Sequence, residues 1–174
     1  MTKTLTALSA CLLMTGCATA PARDGEVLGT AELRQANGQP AGTASLLTVG
    51  DAVVVDLAVS GVPAGTRAFH LHTAGQCTPP TFESAGGHLN PYNRDHGLAD
   101  PDGAHLGDLP NITIEPTGVT RTRLNLTGTR DELLRQIFDA DGTSAMIHIR
   151  ADDNVTDPSG NAGDRIACGV MRRS

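Results

Sequence analysis

Six histidines, all lying between His70 and His148, are the residues of this 174-residue chain best suited to chemistry. His70 and His72 are two apart in the run Phe69-His70-Leu71-His72. On a strand, residues i and i+2 share a face, so the two imidazoles project together as a two-nitrogen clamp. Taken alone, such a pair is more often a surface coincidence than a metal site. His88, His96, His105 and Asp108 follow within a stretch rich in Gly, Pro and Asp. Three imidazoles and a carboxylate are borderline-hard nitrogen and oxygen donors, which suit zinc in a closed four-ligand site. Such an ion would also offset the entropy of ordering a long loop. His148 sits in Ala145-Met146-Ile147-His148-Ile149, a strand pattern in which a lone histidine is ordinarily structural.

These residues need a frame, and the turn chemistry supplies one. Asn37-Gly38, Gly50-Asp51, Pro63-Ala64-Gly65 and Pro116-Thr117-Gly118 punctuate short alternating or β-branched runs. Strands are expected at 27–35, 43–48, 52–59, 67–73, 111–114, 119–126, 144–150 and 165–171. Eight short strands at this spacing predict an all-β fold, an antiparallel Greek-key sandwich or barrel. One piece departs from this: residues 129–138 combine an N-capping Thr129 with apolar residues near helical spacing, which predicts a short helix. Residues 74–110 and 151–164 read as loops. Loops of that length in a compact domain usually carry function.

Composition narrows the setting. The formal net charge is -6, the wrong sign for a nucleic-acid binder. Aromatic residues make up 2% with no Trp, so the core must be built from Val, Leu, Ile and Ala. The first residues read as an export signal over 1–16, with Lys3 as its charge and an apolar stretch too short to span a bilayer. The sequence Leu13-Met14-Thr15-Gly16-Cys17 resembles a bacterial lipobox, which would make Cys17 a lipidated mature N-terminus and leave 17–25 as a tether. Cleavage after Ala18-Thr19-Ala20 is the alternative. A domain over 26–174 follows, anchored to the membrane only through Cys17. With Cys11 in the signal, Cys77 and Cys168 remain in the folded part, and an exported chain favours a bond between them over two free thiols. The sequons at Asn111, Asn125 and Asn154 are read as chance.

The ordered set His70, His72, His88, His96, His105, Asp108 and His148 leads to Gly160-Asn161-Ala162-Gly163-Asp164-Arg165-Ile166-Ala167-Cys168-Gly169. Together they resemble the copper–zinc superoxide dismutases, bacterial exported type, over residues 27–171. The resemblance implies one copper held by His70, His72, His88 and His148. It implies one zinc held by His88, His96, His105 and Asp108, with His88 bridging the two. Asp152 would be the carboxylate that orients His70 and His96. Cys77 and Cys168 would form the family disulfide. Arg165 would attract and orient superoxide beside the copper, and His88 would carry a proton during turnover. Both monomers and homodimers occur among such proteins.

The chain departs from its relatives in two places. Thr73-Ala74-Gly75-Gln76 replaces the usual acidic or amide residue and its followers, which bears on loop packing and subunit contacts. Lys3 is the only lysine, so any steering of an anion falls to arginines such as Arg165, Arg150 or Arg94. Arg150, two residues past His148, could add to the potential at the copper mouth or obstruct it. A copper and zinc buffer on the same fold is the competing function, and a purely structural lipoprotein leaves the ligand set without a purpose.

Overall fold

The structure is a computed structural model that describes residues 25–174. The expected signal over 1–16, the lipidation site Cys17 and nearly all of the tether 17–25 lie outside the described residues. Three long strands lead the fold: β1 (Val27–Gln35), β2 (Pro40–Val49) and β3 (Ala52–Ser60). They pair antiparallel through the turns at Asn37-Gly38 and Gly50-Asp51. The chain then makes β4 (Gly65–Arg67) and β5 (Phe69–His72), the long loop, β6 (Ile112–Ile114) and β7 (Val119–Leu126). Helix α1 (Arg130–Ile137), β8 (Ser144–His148), β9 (Arg165–Val170) and β10 (Arg172–Arg173) complete it.

The main sheet runs β5-β8-β9-β1-β2-β3-β7, with β10 added against β1. It is antiparallel throughout and curls around one core, while β4 and β6 form a separate two-stranded sheet. Leu33, Leu46, Leu57, Phe69, Leu71, Ile112, Ile114 and Ile147 are fully buried between them. The shortage of aromatics thus yields an aliphatic core with Phe69 as its one fully buried ring. The helix begins where expected, with the Thr129 side chain accepting from the Glu132 amide, and it buries Leu133 and Ile137.

The expected strand over 67–73 is two strands. The break falls at Ala68, where the chain passes from the small sheet to the main one. There the Ala68 amide donates to the Arg150 carbonyl, and the His148 amide donates to the Ala68 carbonyl. The strand expected over 144–150 stops at His148, because the Ile149 and Arg150 amides turn to the carbonyls of Asp164 and Ala162. The split at Ala68 and the short β10 raise the count from the expected eight strands to ten among the described residues.

One covalent bond ties the frame to the long loop. Cys77 and Cys168 are joined across a sequence separation of 91, linking the loop after β5 to the middle of β9. Closing a loop of that length in the unfolded chain is worth roughly 4–5 kcal/mol at most. Replacing both cysteines with alanine is therefore expected to lower the unfolding free energy by several kcal/mol. A urea titration of the two proteins checks this, and coincident midpoints would contradict it.

Candidate metal centre

Strand β5 carries the centre. All four of its residues are buried, with Phe69 and Leu71 turned to the apolar core and His70 and His72 to the opposite face. One edge of β5 pairs with β8. The other edge is covered by the long loop, which returns twice to bond it. Leu71 donates to Gly107 and accepts from Leu89, and Gly107 donates to Leu89. That pattern sets His88 opposite His72 and Asp108 opposite His70. Gly107 is required for so close a return, since a Cβ there would stand 2.2 Å from the Leu71 carbonyl oxygen.

The result is two groups of four donors that share His88. His70, His72, His88 and His148 form one, and His88, His96, His105 and Asp108 form the other. Within each group the donor atoms lie within 4.8 Å of one another, and every member is buried.

The outer nitrogen of most rings is already committed. His70 Nε2 lies 2.7 Å from Asp152 Oδ2, and His96 Nε2 lies 3.1 Å from Asp152 Oδ1. His72 Nδ1 donates to the Gly86 carbonyl at 3.0 Å, and His148 Nδ1 donates to the Gly163 carbonyl at 3.0 Å. For His70, His72 and His148 the outer N–H fixes the tautomer, so the inner nitrogen keeps its lone pair. The inner atoms have no such partner. His70 Nδ1 and His88 Nε2 are buried with no hydrogen bond, and His96 Nδ1 and His105 Nδ1 have only the Asp108 carboxylate beside them. A buried polar atom left unmade costs about 1–3 kcal/mol, so this concentration marks a site built for something else.

Their spacing suits a metal. His72 Nε2 and His148 Nε2 face each other at 3.4 Å. Around Asp108, His88 Nδ1 stands 2.8 Å and His105 Nδ1 3.2 Å from Oδ1, with His96 Nδ1 3.1 Å from Oδ2. Tetrahedral donors about 2.0–2.1 Å from zinc are separated by about 3.3–3.4 Å. The donor set and its orphaned lone pairs fit one metal ion in each group.

The electrostatics are those of ligands waiting for a cation. Burial is the main reason that His70 and His72 titrate below the usual imidazole range and that His88 and His148 fall to about 4. These rings are neutral at pH 7, the form that binds metal. Burial works against charge on Asp108 and Asp152 too, but their histidine and backbone hydrogen bonds outweigh it and hold both carboxyls well below the carboxylate range. His96 differs. Burial disfavours its charge, yet Asp108 and Asp152 on either side outweigh that and raise it to about 9.

Several contributors left no trace in the sequence. The carbonyls of Gly86 and Gly163 are backbone groups in loops. Asn111, read as a chance sequon, grips Asp152 from both sides: its Nδ2 donates to the Asp152 carbonyl and its Oδ1 accepts from the Asp152 amide, both at 2.8 Å. Gly160, at φ 61°, leaves room for that carboxylate, since a Cβ would sit 1.8 Å from Asp152 Oδ1 and 2.7 Å from His96 Nε2.

The three arginines expected to steer an anion are placed apart. Arg165 lines a cavity of about 420 Å³ with His72, His88 and His148. Its Nη1 donates to the Phe82 carbonyl and its Nη2 to the Gly86 carbonyl, both at 2.7 Å. Arg150 does not line that cavity; its Nε donates to the Asn161 carbonyl and its guanidinium packs on Gly163. Arg94 lines a different cavity, beside His105 and Asp108.

Because His96 is raised above its ordinary value, it holds a proton at neutral pH that a metal must displace. Affinity of the metal-free protein for zinc is therefore expected to climb about tenfold per pH unit up to about pH 9, instead of levelling near the usual imidazole value of 6.5. Titrations against a competing chelator at several pH values check this, and an affinity flat above pH 7 would contradict it.

Known proteins share this architecture. A family model described as copper/zinc superoxide dismutase matches residues 27–171. A superoxide dismutase [Cu-Zn] 2 of Aquifex aeolicus is 44% identical over 146 residues, covering 82% of this chain and 85% of that protein. A superoxide dismutase [Cu-Zn] of Caulobacter vibrioides is 36% identical over 151 residues, covering 82% and 84%. The crystal structure of a superoxide-dismutase-like protein from Bacillus subtilis, 34% identical, superposes with a TM-score of 0.76 over 82% of this chain and 97% of that one. Two donor groups sharing one histidine, on a curled antiparallel sheet that relatives match along most of its length, place this chain in the copper/zinc superoxide dismutase family.

Proposed function

We propose that the chain dismutates superoxide in the cell envelope, with copper held by His70, His72, His88 and His148 and zinc by His88, His96, His105 and Asp108. The observation that carries the reading is His88, whose ring is buried with Nδ1 in one donor group and Nε2 unpartnered in the other. Copper supplies one-electron redox chemistry when bound, and zinc supplies fixed charge. Overall, two superoxide ions and two protons give one O₂ and one H₂O₂.

The protein's own groups account for the rest. The Arg165 guanidinium is fixed by two carbonyls at the cavity wall, where it attracts and orients a small anion. Burial lowers its pKa, and the charge of Glu83 opposes that effect, but a guanidinium so placed stays charged at neutral pH. The Gly86 carbonyl accepts from both Arg165 and His72, so the residue that orients substrate is braced against a ring that holds metal. His88 Nε2, buried without a partner in the group that would hold copper, is placed to hold a proton and pass it to the product. His70, His72 and His148 are each held in one tautomer by their outer hydrogen bonds.

Export rests on the signal-like start of the chain, and Cys17 would anchor the mature protein through lipid. Mass spectrometry of the mature N-terminus tests this. An acylated cysteine supports the anchor, and a free N-terminus after Ala20 contradicts it.

A second reading, a copper and zinc buffer, draws on the relative from Bacillus subtilis that is named superoxide dismutase-like. Metal analysis with a dismutation assay separates the two. One copper and one zinc per chain with fast turnover supports the enzyme, and full loading without turnover supports the buffer. Because Arg165 is the one arginine among the described residues that lines the His72–His148 cavity, Arg165→Gln is expected to lower kcat/KM about 10- to 100-fold with metal content unchanged. In the unsubstituted protein kcat/KM should fall as ionic strength rises, and a salt-independent rate would contradict steering by Arg165.

A further inference from the structure

The second donor group has its own opening. A cavity of about 530 Å³ lies against it, and its lining includes Tyr92, Leu98, His105, Asp108, Leu126 and Glu132. His105 and Asp108 are buried, at 8% and 6% exposure, and form its inner end. Tyr92 and Leu98 are 45% and 49% exposed and form its outer rim. The His105 ring touches both cavities. Asp108, by contrast, lines this cavity and not the Arg165 one.

One hydrogen bond spans the rim. The Tyr92 hydroxyl donates to Glu132 Oε1 at 2.5 Å, joining the long loop to helix α1 across 40 residues. The carboxylate raises the phenol pKa, which keeps Tyr92 a donor. Glu132 is a fixed post. Its helix buries Leu133 and Ile137 completely, and its amide is capped separately by Thr129, so the side chain has no capping duty. The turn that carries Tyr92 is clasped by Asn90, whose Nδ2 donates to the Arg94 carbonyl and whose Oδ1 accepts from the Arg94 amide; farther along, the Gly97 amide donates to Asp108, the His96 amide to Asp157 and the Ala99 amide to the Asn154 carbonyl. The Tyr92 hydroxyl is what joins this clasped turn to helix α1. Arg94 also lines this cavity, with its Nη1 3.4 Å from the Gly103 carbonyl, so Glu132 is the acidic group at the rim.

We propose that Tyr92 and Glu132 form a latch over this cavity, through which a divalent zinc ion reaches and leaves His105 and Asp108 without crossing the copper side. The latch rests on the reading that His88, His96, His105 and Asp108 hold zinc. It makes Tyr92 and Glu132 positioning residues: neither touches the metal, and both set how readily the loop above it opens.

The test follows zinc release from the fully loaded protein into a chromophoric zinc chelator, with copper release followed in parallel by a copper-selective chelator. Tyr92 is half-exposed, so Tyr92→Phe removes the hydroxyl without emptying the core. It should speed zinc release about five- to tenfold, as expected when one charge-assisted hydrogen bond restraining local opening is lost, and leave copper release unchanged. Glu132→Gln keeps an acceptor for the phenol and should stay within about twofold of the unsubstituted rate. Zinc release unaffected by Tyr92→Phe, or zinc and copper release accelerated together, overturns the latch alone. A protein that takes up no zinc at these four residues overturns both the latch and the reading beneath it.

Discussion

Buried lone pairs with nowhere else to go are the constraint on which this structure depends. Six imidazoles and two carboxylates lie at the heart of the molecule, where an unpaired polar atom is costly. The acceptors around the rim are spent on outer nitrogens, Asp152 on His70 and His96, Gly86 on His72 and Gly163 on His148, and Asp108 alone faces inward among the rings. What remains points inward, to two places that meet at His88. An apolar repacking would satisfy the core more simply, so this arrangement makes physical sense as a receptacle for cations.

The fold serves that receptacle at three levels. The sheet offers β5 with one free edge, and the loop completes the centre by adding to it. The 151–164 segment brings Asp152, seated by Asn111 and given room by Gly160, so that one carboxylate fixes a ring in each donor group. The disulfide then ties the loop to β9, the strand that carries Arg165. Arg165 in turn bonds the carbonyls of Phe82 and Gly86 in that loop. Substrate recognition, loop closure and ring orientation are therefore parts of one hydrogen-bonded unit, and a disturbance at any of them reaches the others.

Much of this was legible in the sequence, and the parts that were not share a cause. Strands β1, β3 and β7 follow from alternation and flanking turn residues, because both signals are local. The break at Ala68 was hidden, since no turn residue marks it and it exists only because the partners on either side belong to different sheets. The early end of β8 has the same origin, in carbonyls of residues 162 and 164 that are distant in sequence. Within the site, the histidines and Asp108 declare themselves by type and order, while Asp152 and Arg165 were marked only by the family resemblance. The Gly86 and Gly163 carbonyls cannot, because a backbone acceptor has no residue signature. Asn111 could be read only as a sequon until Asp152 stood beside it. Charge alone could not rank the arginines: Arg165 lines the cavity, Arg150 packs behind its wall at Gly163, and Arg94 lines the other cavity.

The central claim is that one ring serves two metals. Anomalous diffraction from crystals of the loaded protein, collected at the copper and zinc absorption edges, tests it most directly. The account predicts one copper among His70, His72, His88 and His148, one zinc among His88, His96, His105 and Asp108, and density joining His88 to both. Two ions with His88 bound to only one of them, or a single ion shared between the two groups, would contradict it.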